Sequence, residues 1–185
     1  VGAGTGLLAH HFLAAGVPFH EYVLLDVSER MLERARERLP DPRFRFVVSG
    51  AERLEVNADE PFDLVLGVDI LHHISDPVGA LASWRTVTAP GGMLCLLEAN
   101  ILNPLALLYF IGVEEEVRMY LNTDVNLGKW MTQAGWSRID VRPTPAFTPS
   151  GPEWLARPLD LVDRLAVHIP FLNRITAQWC VVGFR

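Results

Sequence analysis

Three glycines, Gly2, Gly4 and Gly6, fall within the opening stretch VGAGTG. A turn of this kind lets backbone N–H groups come close to a bound group, because no Cβ stands in the way. A phosphate loop would need Lys-Ser or Lys-Thr after the glycines, and Leu7 and Leu8 occupy that place. A dinucleotide turn prefers G-x-G-x-x-G, whose third glycine would fall at Leu7, which weakens that reading without excluding it. What remains is G-x-G-x-G followed, about twenty residues on, by Asp26, whose carboxylate can accept hydrogen bonds from both hydroxyls of a ribose. A short turn of this sort suits a nucleoside that has no pyrophosphate to cradle. Capping of the following helix is the competing reading for Asp26, and the glycine turn favours the ribose. Further along, His72 and His73 directly follow an apolar run, and Asp69 and Glu98 lie near the ends of adjacent strand candidates. Histidine is the side chain suited to removing a proton near neutral pH. A hydrogen-bonded structural histidine in a loop is the competing reading.

These residues need a scaffold that brings them to one edge. Leu7 to Ala15 reads as a helix, and YVLLDV at 22 to 27 as a short buried strand. SERMLERARERL follows, with Ser28 as N-cap and Leu32, Ala35 and Leu39 at helical spacing. RFRFVVSG and FDLVLGVDIL (62 to 71) are further strand candidates. Asp76-Pro77 starts a helix that runs to about Val87, and APGGM is a turn before the strand MLCLLEA. Strands alternating with helices predict a parallel sheet covered on both faces. Beyond Asn100 the rhythm changes. NPLALLYFIGVEEEVRMYL predicts one or two helices, TDVNLGKWMTQAG another ending at Gly135, WSRIDVRPT a strand and QWCVVGF a closing strand. Between the last two strands, Leu155, Leu159, Val162, Leu165 and Ile169 share one helical face within 153 to 172.

With 185 residues the chain fits a single domain, and half of it is apolar against 21% charged. A formal net charge of -6 argues against a nucleic-acid footprint, which needs clustered Lys and Arg. Cys95 and Cys180 stand in separate apolar runs without metal-type spacing and read as buried thiols of a reducing, cytoplasmic compartment. No metal site is implied: His10, His11, His20 and His168 show no ligand pattern. The run PLALLYFIGV is about half the ~20 residues that a membrane-spanning helix requires. Trp130, Trp136 and Trp154 read as core or lid packing, and VEEEV as a solvated helix face.

VGAGTG, LLDVSERMLERARERL, FDLVLGVDILHHISDP and APGGMLCLLE, in this order, resemble a class I S-adenosylmethionine-dependent methyltransferase of the group with LHH after a strand. The resemblance covers Val1 to about Asn100. It implies a Rossmann-like, doubly wound, mostly parallel seven-stranded sheet with an antiparallel last strand, in one domain: a cofactor-binding half at 1–100 and a substrate-side half at 101–185. The implied cofactor is S-adenosylmethionine, with Gly2, Ala3, Gly4 and Gly6 under its amino-acid part and Asp26, with the adjoining Val27, at the ribose. Gly50 stands where the family often carries an acid facing the adenine, so backbone near Ala51, or Glu52, takes that part, and Asp69 completes the set. VGAGTG opens without the buried strand that normally precedes it. We therefore expect the first strand to have been cut away together with the acid just upstream of it, leaving a gap in the sheet.

The segments at about 101–122 and 144–176 are expected to be inserted helices that close over a small apolar acceptor such as a quinone, a polyketide or a lipid-linked compound. A weak membrane-surface contact is the alternative use of the 153 to 172 stripe, and packing on the sheet edge a third. His72 and His73 are the candidate bases. Two other classes stay open: an NAD(P)-dependent oxidoreductase, and an inactive module that keeps the fold for interaction.

Overall fold

The computed structural model describes residues 1–54, 56, 61–103, 121–144, 161–162 and 164–185. The glycine turn leads into α1 (Leu7–Ala14), β1 (Tyr22–Asp26), α2 (Glu29–Arg38) and β2 (Phe44–Val48). Then come β3 (Phe62–Val68), a 3-10 turn (Leu71–His73), α3 (Pro77–Val87) and β4 (Thr88–Ala99). The last part holds α4 (Asp124–Gln133), β5 (Ser137–Thr144), a second 3-10 turn (Leu172–Ile175) and β6 (Gln178–Phe184). Three helices start where a side chain can satisfy an orphan N–H of the first turn. Ser28 Oγ accepts from Met31 N at 3.4 Å, Asp76 Oδ1 from Gly79 N at 2.9 Å and Thr123 Oγ1 from Asn126 N at 3.2 Å.

The strands form two sheets. β1 and β2 pair in parallel, Leu24 opposite Phe46. The other sheet has the order β3-β4-β6-β5, with β3 parallel to β4 and β6 antiparallel to both its neighbours. The expected antiparallel last strand is present. The described residues give six strands, one fewer than the seven that the resemblance implies, and they divide between β1 and β3, where a gap was expected. A tripeptide spans that division. Val1 N donates to Leu66 O of β3 at 2.7 Å, and Ala3 N to Leu25 O of β1 at 2.9 Å. APGGM also differs from expectation, for it is a bulge inside β4 rather than a turn before it. Two steps along β3, Phe62 to Leu64, match five along β4, Thr88 to Met93. Pro90 has no N–H for the ladder, so the excess residues bow out there.

Each sheet has its own core. Ala9, Leu24, Leu32, Ala35, Leu39 and Phe44 are buried around β1 and β2, and the rings of Phe12, Phe19, Tyr22 and Phe44 pack beside them at 5.3 to 6.2 Å. The larger core sets Leu94, Leu96, Trp179 and Val181 of the second sheet against Leu81 and Trp84 of α3 and Leu127 and Met131 of α4. Each such leucine contributes about 1.5–3 kcal/mol by leaving water. Trp136 belongs to this core as expected, its indole N–H donating to Leu81 O at 3.0 Å. Cys95 and Cys180 depart from the expected burial: both are half-buried, because strand alternation turns them away from the helices.

Of the expected 153–172 helix, residues 161–162 and 164–166 are helical, and Val162, Leu165 and Ile169 are exposed rather than packed on the sheet. Leu155, Leu159, Trp154, the VEEEV run and most of both expected insertions lie outside the described residues. Among the described residues, no helix is long and apolar enough to cross a membrane.

Candidate functional site

The carboxyl ends of β1, β2, β3 and β4 end respectively at Asp26, Val48, Val68 and Ala99, and the loops beyond them carry most of the candidate residues. Open α/β sheets receive ligands at this edge. At its centre the glycine turn and Asp26 are joined directly. Gly4 N donates to Asp26 Oδ2 at 2.7 Å, and Ser28 N to Oδ1 at 2.9 Å. Asp26 thus fixes the turn and also holds the backbone N–H of Ser28, the N-cap of α2. A carboxylate offers about four acceptor positions, so two backbone donors leave capacity for ribose hydroxyls.

The glycines do different work. Gly2 has φ 63°, and a Cβ there would stand 2.3 Å from Ile70 Cδ1, so its bareness lets the turn pack on the segment after β3. Gly4 has φ 51°, and a Cβ there would meet nothing within 4 Å. Its open face is the place a ligand can approach backbone, and with Asp26 beside it these residues fit a nucleoside cofactor. Gly50 likewise faces open space. Next to it the Ala51 carbonyl accepts the Trp84 indole N–H at 2.7 Å, which ties that loop to α3. Glu52 turns one oxygen to the backbone N–H of Ser75 at 3.0 Å and to the Ser75 hydroxyl. Val27 is 77% exposed on the same edge.

Asp69 adopts a left-handed backbone conformation with φ 47°, unusual outside glycine. Its Oδ1 accepts from Ala99 N at 2.9 Å, its Oδ2 from Gln178 Nε2 at 3.4 Å, and its own N–H donates to Leu97 O at 2.8 Å. The side chain therefore laces the ends of β3, β4 and β6 together.

The histidine pair divides. His73 is exposed, whereas His72 is buried with its Nδ1 3.6 Å from Glu98 Oε2, and the two rings lie 4.0 Å apart. Glu98 is wholly buried. Its Oε1 accepts from Ile70 N at 3.1 Å and Leu71 N at 3.0 Å, and its Oε2 from Asn122 Nδ2 at 3.0 Å. Those donors offset a desolvation cost that would otherwise reach several kcal/mol. The arrangement places a negative charge beside His72 and suits stabilisation of an imidazolium. Sequence reasoning noted Glu98 only as a strand-end acid. Its signal was present in MLCLLEA, where alternation sets Glu98 on the same face as Leu94 and Leu96. Asn122 was missed, and nothing in LNTDVNL separates it from Asn126. The hollow between His20, Arg36, Arg43 and Phe46 lies at the other end of β1 and β2 and shares none of these residues. Among the described residues no three metal-ligating side chains converge.

Residues 1–94 match the family described as the methyltransferase domain. The chain is 29% identical over 165 residues to the demethylmenaquinone methyltransferase of Renibacterium salmoninarum, covering 77% of this chain and 67% of that protein. It is 35% identical over 102 residues to the ubiquinone/menaquinone biosynthesis C-methyltransferase of Ectopseudomonas mendocina, covering 53% of this chain and 40% of the relative. Among solved structures, an S-adenosylmethionine-dependent methyltransferase of Thermotoga maritima superposes with a TM-score of 0.67 at 22% identity, covering all of this chain and 79% of the other.

Proposed function

This chain belongs to the methyltransferase domain family, of the class I S-adenosylmethionine-dependent kind, and we propose that it methylates a small apolar acceptor bearing a quinone-type ring. The names of the two quinone-pathway relatives support that ring. In this reading Gly2, Ala3, Gly4 and Gly6 receive the amino-acid part of the cofactor, Asp26 the ribose, and Val27, Ala51 and Glu52 the adenine side, while Asp69 holds the neighbouring strand ends. When bound, the sulfonium supplies an electrophilic methyl group. The chain then has to align the acceptor, keep water away and take up one proton. His72 takes that proton, and Glu98, 3.6 Å from its Nδ1, stabilises the resulting imidazolium. His73, exposed beside it, is the second candidate base. Residues 1–100 form the cofactor half of a single domain, and 101–185 the acceptor half.

One observation carries the cofactor reading: the strand-end carboxylate of Asp26 is bonded to a glycine turn whose Gly4 face is open. Calorimetry with S-adenosylmethionine tests it, with NADH as control. Binding of the former alone is expected, followed by transfer of one labelled methyl group to a reduced short-chain naphthoquinone. NADH binding with indifference to S-adenosylmethionine would overturn the reading in favour of an oxidoreductase.

A further inference from the structure

The two cysteines, far apart in sequence, meet on the face of the second sheet that α3 and α4 do not cover. In the register of β4 and β6, Cys95 pairs with Val182 and Leu97 with Cys180, which sets the cysteines two residues apart on one face. Across the other side of β6, Arg142 of β5 stands directly opposite Cys180. All three side chains therefore share one face across three adjacent strands. Both thiols are half-buried and reduced.

We propose that Cys95, Cys180 and Arg142 form a hydroperoxide-reactive site, in which Cys180 is the nucleophile and Cys95 the thiol that resolves it. The local chemistry supports this division. A hydrogen bond from Cys95, and then the Arg142 guanidinium, stabilise the Cys180 thiolate and bring it down to about 6. Burial opposes that effect, and so, more weakly, does Asp140, two residues before Arg142 on β5 and 3.6 Å from its guanidinium. Cys95 is pushed up by the same hydrogen bond and by burial, so it keeps its proton. The Cys180 thiolate attacks the terminal peroxide oxygen and the O–O bond breaks, giving a sulfenic acid and, after protonation, the alcohol, or water when the peroxide is hydrogen peroxide. Cys95 sulfur then attacks the sulfenyl sulfur: an S–S bond forms, the S–O bond breaks, and the departing hydroxide leaves as water with the Cys95 proton. In sum, two thiols and one hydroperoxide give one disulfide, water and the reduced peroxide.

Peptide mass spectrometry of the intact chain after iodoacetamide treatment from about pH 5 to about pH 9 tests the assignment. Cys180 labelling should reach half its plateau near pH 6, and Cys95 should react at least about tenfold more slowly at neutral pH. Arg142→Gln should move the Cys180 midpoint upward. Brief hydrogen peroxide should remove the mass of two hydrogens and yield a Cys95–Cys180 cross-linked peptide, while Cys95→Ser should leave a sulfenic acid on Cys180 that dimedone traps. Faster labelling of Cys95, two rates rising together into the ordinary thiol range, or a wild-type chain that keeps a sulfenic acid without the cross-link would each overturn the proposal.

Discussion

The end of this edge proposed to receive the nucleoside and the end proposed to face the acceptor are made of different materials. At the first, backbone groups of Ala3 and Gly4 close on Leu25 and Asp26, and a single carboxylate organises the turn. At the second, Glu98, His72 and Asn122 come from three separate stretches of chain and are buried, with Glu98 Oε2 accepting from Asn122 Nδ2 and lying 3.6 Å from His72 Nδ1. A backbone site tolerates exposure because its donors are fixed by φ and ψ. A side-chain site must be buried to be held in place, and so it couples chemistry to stability.

Substitutions can break that contrast, beginning with the largest effect. Glu98→Ala strands the N–H groups of Ile70 and Leu71 and the Asn122 amide, and should cost about 3–5 kcal/mol in denaturant unfolding. Glu98→Gln keeps an acceptor but loses the charge, so methyl transfer should fall at least about tenfold with cofactor affinity nearly unchanged. Unfolding of Glu98→Ala at the wild-type midpoint would show that the acceptor end does not depend on this carboxylate. Asp26→Ala should weaken S-adenosylmethionine binding by about 100-fold, or about 2.7 kcal/mol, with a smaller loss of stability near 1 kcal/mol. Equal losses in both would erase the distinction between the two ends.

Two neighbouring glycines sharpen it further. Gly2→Ala drives a Cβ into Ile70 at a positive φ and should lower stability by about 2 kcal/mol. Gly4→Ala meets no atom, so thermal unfolding should show only the backbone strain of about 1 kcal/mol, while calorimetry shows most of the binding lost. The smallest effect belongs to Tyr22, whose phenol is raised to about 12 by burial in the smaller core. Between about pH 10 and 12 the unfolded chain has released this proton and the folded one has not, so stability falls as pH rises. The fall should amount to roughly 1–2 kcal/mol and vanish in Tyr22→Phe, as measured by urea unfolding across that range.

Local signals explain which parts were legible. The caps at Ser28, Asp76 and Thr123 and the strand-end position of Asp26 are decided within a few residues, and the alternating pattern of strands and helices follows from them. A gap in the sheet was expected from the opening glycine turn, but not the way Val1 and Ala3 bridge it, since that depends on partners in β1 and β3. The meeting of Cys95 with Cys180 depends on register between strands 85 positions apart, which no local pattern encodes. Asn122 joins Glu98 only once α4 has docked against β5, β6 and α3, so its partner is settled by tertiary packing.

The tripeptide between the sheets also has a meaning in time. Contacts that build the smaller core and seat the glycine turn on it join residues within 3–46, whereas Val1 to Leu66 spans 65 positions and the pairs between β4 and β6, such as Leu94 with Gly183, span more. The smaller core is expected to form first with the glycine turn on it, so the final folding steps are those that close the larger sheet and join the two. A pulse of hydrogen exchange during refolding should then protect Leu24 and Gly4 before Leu96.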